Sequence, residues 1–282
     1  NLGCTQLARI EYCQHGGRCN TDAVDNSGGV NMSDLEVNLK ILLQIPLSKG
    51  EITEEERIKI LRDHAEEIGD KVTERNRAQA VVLSLGQLRS RKTVDTYRGL
   101  IHRLSRRGVL DRKVEFLPDE ETLAKRASLK LGMMRPELAV LMAYVKMATF
   151  DAVMKSSLPE DAFLSKFLLG YFPASLVDRF RSHILHHPLS REIISTQVAN
   201  VMVEEMGSTF LYRTTEETGA PEAEVVAAFL AADAILGARE IIKQLEVINT
   251  PVSCSVYLRA LQLISRALDA MTRWVLEHRA AN

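Results

Sequence analysis

Proline and glycine punctuate this 282-residue chain at intervals that leave room for helices and for little else. Pro136, Pro159, Pro188 and Pro221 each precede a stretch with apolar residues at helical spacing. Proline is tolerated in a first helical turn, because the amide it lacks would be unpaired there anyway. The stretches so opened are Glu137 to Lys155, Glu160 to Leu169, Leu189 to Glu205 and Glu222 to Leu236, with Gly170, Gly207, Gly219 and Gly237 as their stops. Thr53-Glu54-Glu55-Glu56 reads as a capping box, and its run of acids suits the positive end of a helix dipole. A last long helix is predicted from about Val252 to Arg279, carrying the only tryptophan, Trp274. About eight helices with short connections predict a bundled or orthogonal α domain.

The first 45 residues read differently. Gln6 to Gln14 has the pattern of a short helix, Arg18 to Val24 that of a strand, and Ser33 to Gln44 that of an amphipathic helix. Pro46 to Gly50 then interrupts the pattern, which divides the chain into residues 1–45 and 46–282. Gly28-Gly29 is expected to turn directly before a helix capped by Ser33, with Glu36 reaching back to the Ser33 amide. Such a corner serves equally as an anion site at a helix N-terminus or as an ordinary loop-to-helix junction.

Charge and composition exclude several classes. With 36 basic and 37 acidic side chains the net charge is −1, so no overall field attracts nucleic acid or anionic lipid. Arg103, Arg106 and Arg107 are expected on a solvated helix face. No apolar run reaches the roughly 18 to 20 residues of a membrane span; Val225 to Ala238 comes nearest and Asp233 interrupts it. Four cysteines in a chain of this size make no disulfide framework, so reduced thiols and a cytoplasmic location are expected. Cys13, His15 and Cys19 lack a second cluster at zinc spacing, and no metal is expected.

Three further features admit two readings each. His183, His186 and His187 share a helical face and so suit a metal, or else they bond the last carbonyls of a helix before Pro188. Thr196, Gln197 and Asn200 interrupt a helix otherwise lined by Ile193, Ile194, Val198, Val201 and Met202. They make either an internal hydrogen-bond cluster or a contact with another domain. The nine methionines read mainly as core residues.

Asn1-Leu2-Gly3-Cys4-Thr5-Gln6, the run from Gly16 to Leu43 that contains Asp25-Asn26-Ser27-Gly28-Gly29-Val30-Asn31-Met32-Ser33, the stretch Arg135 to Leu141 and the stretch Arg191 to Asn200 together resemble the large bacterial NAD-specific glutamate dehydrogenases, in the expected order. The resemblance implies a mainly α chain. A multi-helix C-terminal domain would follow a small α/β remnant of a dinucleotide-binding domain. It implies NAD as cofactor, L-glutamate and 2-oxoglutarate as substrates, the rest of the same polypeptide as partner, and a homo-oligomer. Asn1 and Asn26 match cofactor-binding asparagines, and Gly28, Gly29, Val30 and Ser33 match positions lining the substrate pocket. The family's catalytic lysine and aspartate and its phosphate-binding loop have no counterpart here, so no catalytic residue is expected and the chain alone should be inactive. The alternative is a helical structural or regulatory domain that governs assembly of the enzyme. It differs from the first reading in requiring a self-associating apolar surface and no cofactor affinity.

Overall fold

The computed structural model describes residues 3–247 and 252–279, and among them every regular element is helical. In chain order these are α1 (Gln6–Gln14), α2 (Asp22–Asp25), α3 (Ser27–Ser48), α4 (Glu54–Asp63), α5 (Ala65–Ser90), α6 (Val94–Arg106), α7 (Glu120–Ser128), α8 (Arg135–Met154), α9 (Ser165–Tyr171), α10 (Ala174–Leu185), α11 (Ser190–Met206), α12 (Phe210–Thr218), α13 (Glu222–Leu236), α14 (Ala238–Val247) and α15 (Cys254–Arg279). The helix stops read from the sequence hold at Gly207, Gly219 and Gly237, whose φ values of +85°, +69° and +60° a side chain would resist. Thr53 forms the expected capping box with Glu56. The stretch after Pro159 is a correction. Two short 3-10 turns, Leu158–Glu160 and Ala162–Leu164, precede α9, because extended Asp161 separates them and caps the Phe163 amide; Gly170 therefore lies inside α9 and ends nothing.

The N-terminal segment departs furthest from expectation. Arg18 to Val24 is no strand, and the α/β remnant is absent from the described residues. A lone strand leaves its backbone groups unpaired unless neighbours supply a sheet. Here the Val24 and Asp25 amides instead close a helical turn onto the Thr21 carbonyl, and Arg9 is held by Asp22 and Asp25. Gly28-Gly29 is not a turn, nor is Ser33 a cap. α3 starts six residues earlier, at Ser27, whose Oγ lies 2.8 Å from the Val24 carbonyl and 2.7 Å from Asn76 Oδ1 on α5. Gly28 lets this first turn lie close to α5, since a Cβ there would sit 3.1 Å from Asn76 Nδ2. α3 also runs through Pro46 to Ser48, so the break falls at Lys49-Gly50.

Packing follows from which helices are apolar all round. α8 buries Leu138, Ala139, Val140, Leu141 and Met142 in succession, the mark of a helix surrounded by others. It packs between α5, α11 and α13, while α15 lies along α13. One core joins Leu39, Leu42 and Leu43 of α3 to Phe180, Ile184, Val198 and Phe229. A second gathers Tyr97, Ile101, Leu138 and Leu141 around α6 and α8. Neighbouring residues of α11 serve both, Met202 the first and Val203 the second. α6 shows the opposite, amphipathic pattern, with Val94, Tyr97, Leu100, Ile101 and Leu104 inward. Its basic face is only partly solvated: Arg103 pairs with Glu216 and Glu222, both at 2.9 Å, and Arg107 with Glu222 at 2.6 Å.

The histidine trio resolves into separate roles. His186 Nδ1 lies 2.7 Å from the Ser182 carbonyl and His183 Nε2 lies 3.0 Å from Glu51. His187 is buried: its Nδ1 accepts from the Leu189 amide, so its Nε2 carries the proton and donates to the Asn38 carbonyl at 3.1 Å. Burial lowers its pKa, in keeping with this neutral form.

Candidate functional site

Two features of α3 bear on function, one on each side of the helix. Asn26, Gly29, Val30, Ser33 and Val37 are exposed, and their spacing of about three, four, seven and eleven residues sets them along one helical face. Val30 and Val37 are 66% and 49% exposed, which makes this ridge apolar as well as polar. Asn26 stands at the N-cap position without donating or accepting a capping bond, so its amide is free for another partner. Gly28 is half-buried and turned toward α5. Asn1 lies outside the described residues. Asn26, Gly29, Val30 and Ser33 thus come together as a ridge, not as a closed pocket, and Gly28 stands apart from it.

The opposite side of α3 faces a cavity of about 280 Å³ walled by α5, α9, α11, α14 and α15. Asn31 and Asp34 reach it from α3, Lys71 and Arg75 from α5, and Gln197 and Asn200 from α11. Of the three polar residues that interrupt α11, Gln197 finds its partner across this space: Arg75 Nη2 donates to its Oε1 at 2.8 Å. Asp34 accepts from the Tyr171 hydroxyl at 2.8 Å, which in turn accepts from Asn38 Nδ2 at 2.9 Å. Burial and the nearby Asp34 charge raise the Tyr171 pKa, so the phenol stays a donor.

Charged groups continue the lining on α11. Glu204 accepts from Lys146 Nζ at 2.8 Å, and Arg75 Nη1 is 3.7 Å from the same carboxylate oxygen. Burial lowers the Lys146 pKa, while Glu204 opposes that shift. Glu205 lies deep beside Arg239, whose Nε is 3.3 Å away. Burial pushes the Glu205 carboxyl up to about 7, against the pull of Arg239, so the group changes charge near neutrality. Lys71 donates to the Gly170 carbonyl at 2.8 Å, and burial lowers its pKa. Sequence reasoning found Thr196, Gln197 and Asn200 because they are polar on an apolar helix. It missed Lys71, Arg75, Glu205 and Arg239, whose spacing along α5, α11 and α14 looks like that of any solvated face.

Near the N-terminus, Cys13 and Cys19 bring their sulfurs within 3.6 Å, and burial together with Cys13 pushes the Cys19 thiol up to about 11. His15 faces away, with Nδ1 2.9 Å from the Glu11 carbonyl. Among the described residues no three His, Cys, Asp or Glu side chains gather as metal ligands, and no helix is long and apolar enough to cross a membrane.

Comparison with known proteins covers both regions. Residues 1–86 match the family model described as the bacterial NAD-glutamate dehydrogenase catalytic domain, and residues 130–282 match that of the glutamate dehydrogenase C-terminal region. The NAD-specific glutamate dehydrogenase of Pseudomonas aeruginosa is 40% identical over 279 residues, that of Halomonas elongata 38% and that of Mycobacterium tuberculosis 35%. Each alignment covers 99% of this chain and 17% of the relative, so the chain spans about one sixth of the length of the curated relatives it matches. With the second model covering more than half of the chain, the protein belongs to the family of glutamate dehydrogenase C-terminal regions.

Proposed function

We propose that the chain works as the C-terminal part of an NAD-dependent glutamate dehydrogenase, which oxidatively deaminates L-glutamate to 2-oxoglutarate and ammonium. Residues 1–45 belong to the dehydrogenase domain in this reading and residues 46–282 to a helical domain behind it. The exposed ridge of α3 carries the proposal: Asn26, Val30 and Ser33 stand uncovered along one face, where the rest of the same polypeptide can close a pocket over them. Ser33 donates its hydroxyl to the distal carboxylate of glutamate, and such charge-assisted bonds are the strong ones. Gly29 keeps a side chain out of the way of substrate, while Gly28, turned toward α5, lets the first turn of α3 sit close to Asn76. Asn26, with Asn1, contacts the nicotinamide end of NAD.

Proton transfer needs groups within hydrogen-bond reach of the reacting carbon and nitrogen. The ridge supplies no acid or base for that step, so the lysine and aspartate come from elsewhere in the enzyme and this chain alone is silent. The location that fits is the cytoplasm, supported by four free thiols. The test is glutamate-dependent NAD reduction by the enzyme that contains this chain. Ser33→Ala lowers kcat/KM there by roughly 10- to 100-fold, the worth of one hydrogen bond to a charged group. An unchanged value would reduce Ser33 to a helix surface residue.

A second role, assembly, is favoured by α15. Val256, Leu263 and Trp274 are 55%, 60% and 52% exposed, and their separations of seven and eleven residues return to one helical face. An apolar stripe of this kind suits a homo-oligomer contact. Leu263→Glu with Trp274→Glu should lower the sedimenting mass of the enzyme without unfolding it, and an unaltered mass would remove the role.

A further inference from the structure

We propose that the cavity between α3, α5, α9, α11, α14 and α15 is a binding site for a small oxyanion with an apolar tail, a carboxylate or phosphate monoester of modest length. At about 280 Å³ it falls just below the roughly 300–1,000 Å³ of small-molecule sites, which keeps the ligand small. One part of its wall is apolar, formed by Val81, Leu85, Val201, Leu261, Ile264 and Leu268. The other is rich in donors. Asn31 Nδ2 and Arg75 Nη1 are shut off from solvent and make no hydrogen bond. Buried donors left in this state are costly, and native structures normally satisfy them.

The carboxylates nearby do not answer that need. Glu204 Oε1 is 3.7 Å from Arg75 Nη1, too far for a hydrogen bond, and is already taken by Lys146. Asp34 serves the Tyr171 hydroxyl and Asn38. Glu205 leaves Oε2 without a partner and is engaged through Oε1 by Arg239. Lys71, though partly buried, forms no ion pair among the described residues and has only the Gly170 carbonyl. Glu74 and Lys243 are both exposed, so they add opposite charges from the solvent side, and half-buried Glu246 also lines the cavity, its pKa raised by burial toward the uncharged form. Inside, the unmet donors are the Asn31 amide, one arm of Arg75 and the Lys71 ammonium, and Glu205 Oε2 is an unmet oxygen on a carboxyl that burial favours in its uncharged, protonated form. Oxygen atoms bearing negative charge satisfy all three donors, and the apolar wall takes a hydrocarbon tail.

This site is independent of the dehydrogenase reading, and its test needs no turnover. Sodium hexanoate and hexylammonium chloride, matched in tail and opposite in charge, are titrated against the 282-residue chain by saturation-transfer NMR. Hexanoate is expected to bind saturably and hexylammonium not to bind. Arg75→Gln should raise the hexanoate Kd about tenfold or more. Ala78→Leu, which fills the cavity from α5 and leaves every polar partner in place, should do the same; circular dichroism establishes that both variants are folded. Absence of saturable hexanoate binding, equal binding of the two probes, or a hexanoate Kd unchanged by both substitutions would overturn the proposal.

Discussion

At the scale of single residues, the ionic pair Arg126–Glu137 ties α7 to α8. Both guanidinium arms reach the carboxylate, at 2.6 and 2.9 Å, and Glu137 also takes the Met134 amide at 2.7 Å. Glu137 is 1% exposed, so removing its partner strands a buried charge. Arg126→Ala should therefore cost about 3–5 kcal/mol in chemical denaturation. Glu205 gives a prediction with the opposite lesson. Its folded pKa of about 7 lies above the ordinary 4.5, so the folded state holds the proton more tightly than the unfolded chain. Stability from this group is fully present below about pH 4.5 and is lost as pH rises through 7. Glu205→Gln should thus raise Tm at pH 8 and leave it nearly unchanged at pH 5; equal shifts at both would show that the carboxyl titrates normally. Glu137 stood in the recognisable Arg135-Pro136-Glu137 run, yet its partner was not legible, because nothing local points Arg126 toward it.

At the scale of elements, what the sequence reveals depends on how local the determinants are. The α4 cap and the stops at Gly207, Gly219 and Gly237 were legible because a few adjacent residues decide them. The short helix α2 was not: a strand was expected at Arg18 to Val24, but a strand's hydrogen bonds come from partners elsewhere, and none is present among the described residues. The start of α3 was misplaced by six residues because a Gly-Gly pair reads as a turn, while the Ser27 contact with Asn76 that settles the first turn spans 49 residues. Gly29→Ala decides between the two conformations. In a helix where its Cβ would meet only the Asn26 side-chain oxygen, at an ordinary 3.6 Å, it should stabilise by about 0.5–1 kcal/mol, whereas in a left-handed turn it would destabilise. Gly219→Ala, at φ +69°, should cost about 1 kcal/mol, measured by the same unfolding curves.

At the scale of the whole molecule, one helix joins the proposed ridge to the core. α3 anchors the larger core through Leu39, Leu42 and Leu43, and so holds its N-terminal ridge on a rigid support. That ridge was legible only through family resemblance, since Gly28, Gly29 and Ser33 by themselves describe a common junction. The cavity behind it was not legible, being assembled from six helices far apart in sequence. The measurement that bears most directly on the central proposal is steady-state NAD reduction by the longer enzyme carrying Ser33→Ala or Asn26→Ala, with the 282-residue chain assayed alongside. If the ridge lines the pocket, both variants stay folded, both lose kcat/KM by roughly 10-fold or more, and the chain alone shows no turnover. Wild-type kcat/KM in both variants would contradict it and leave α3 a structural support.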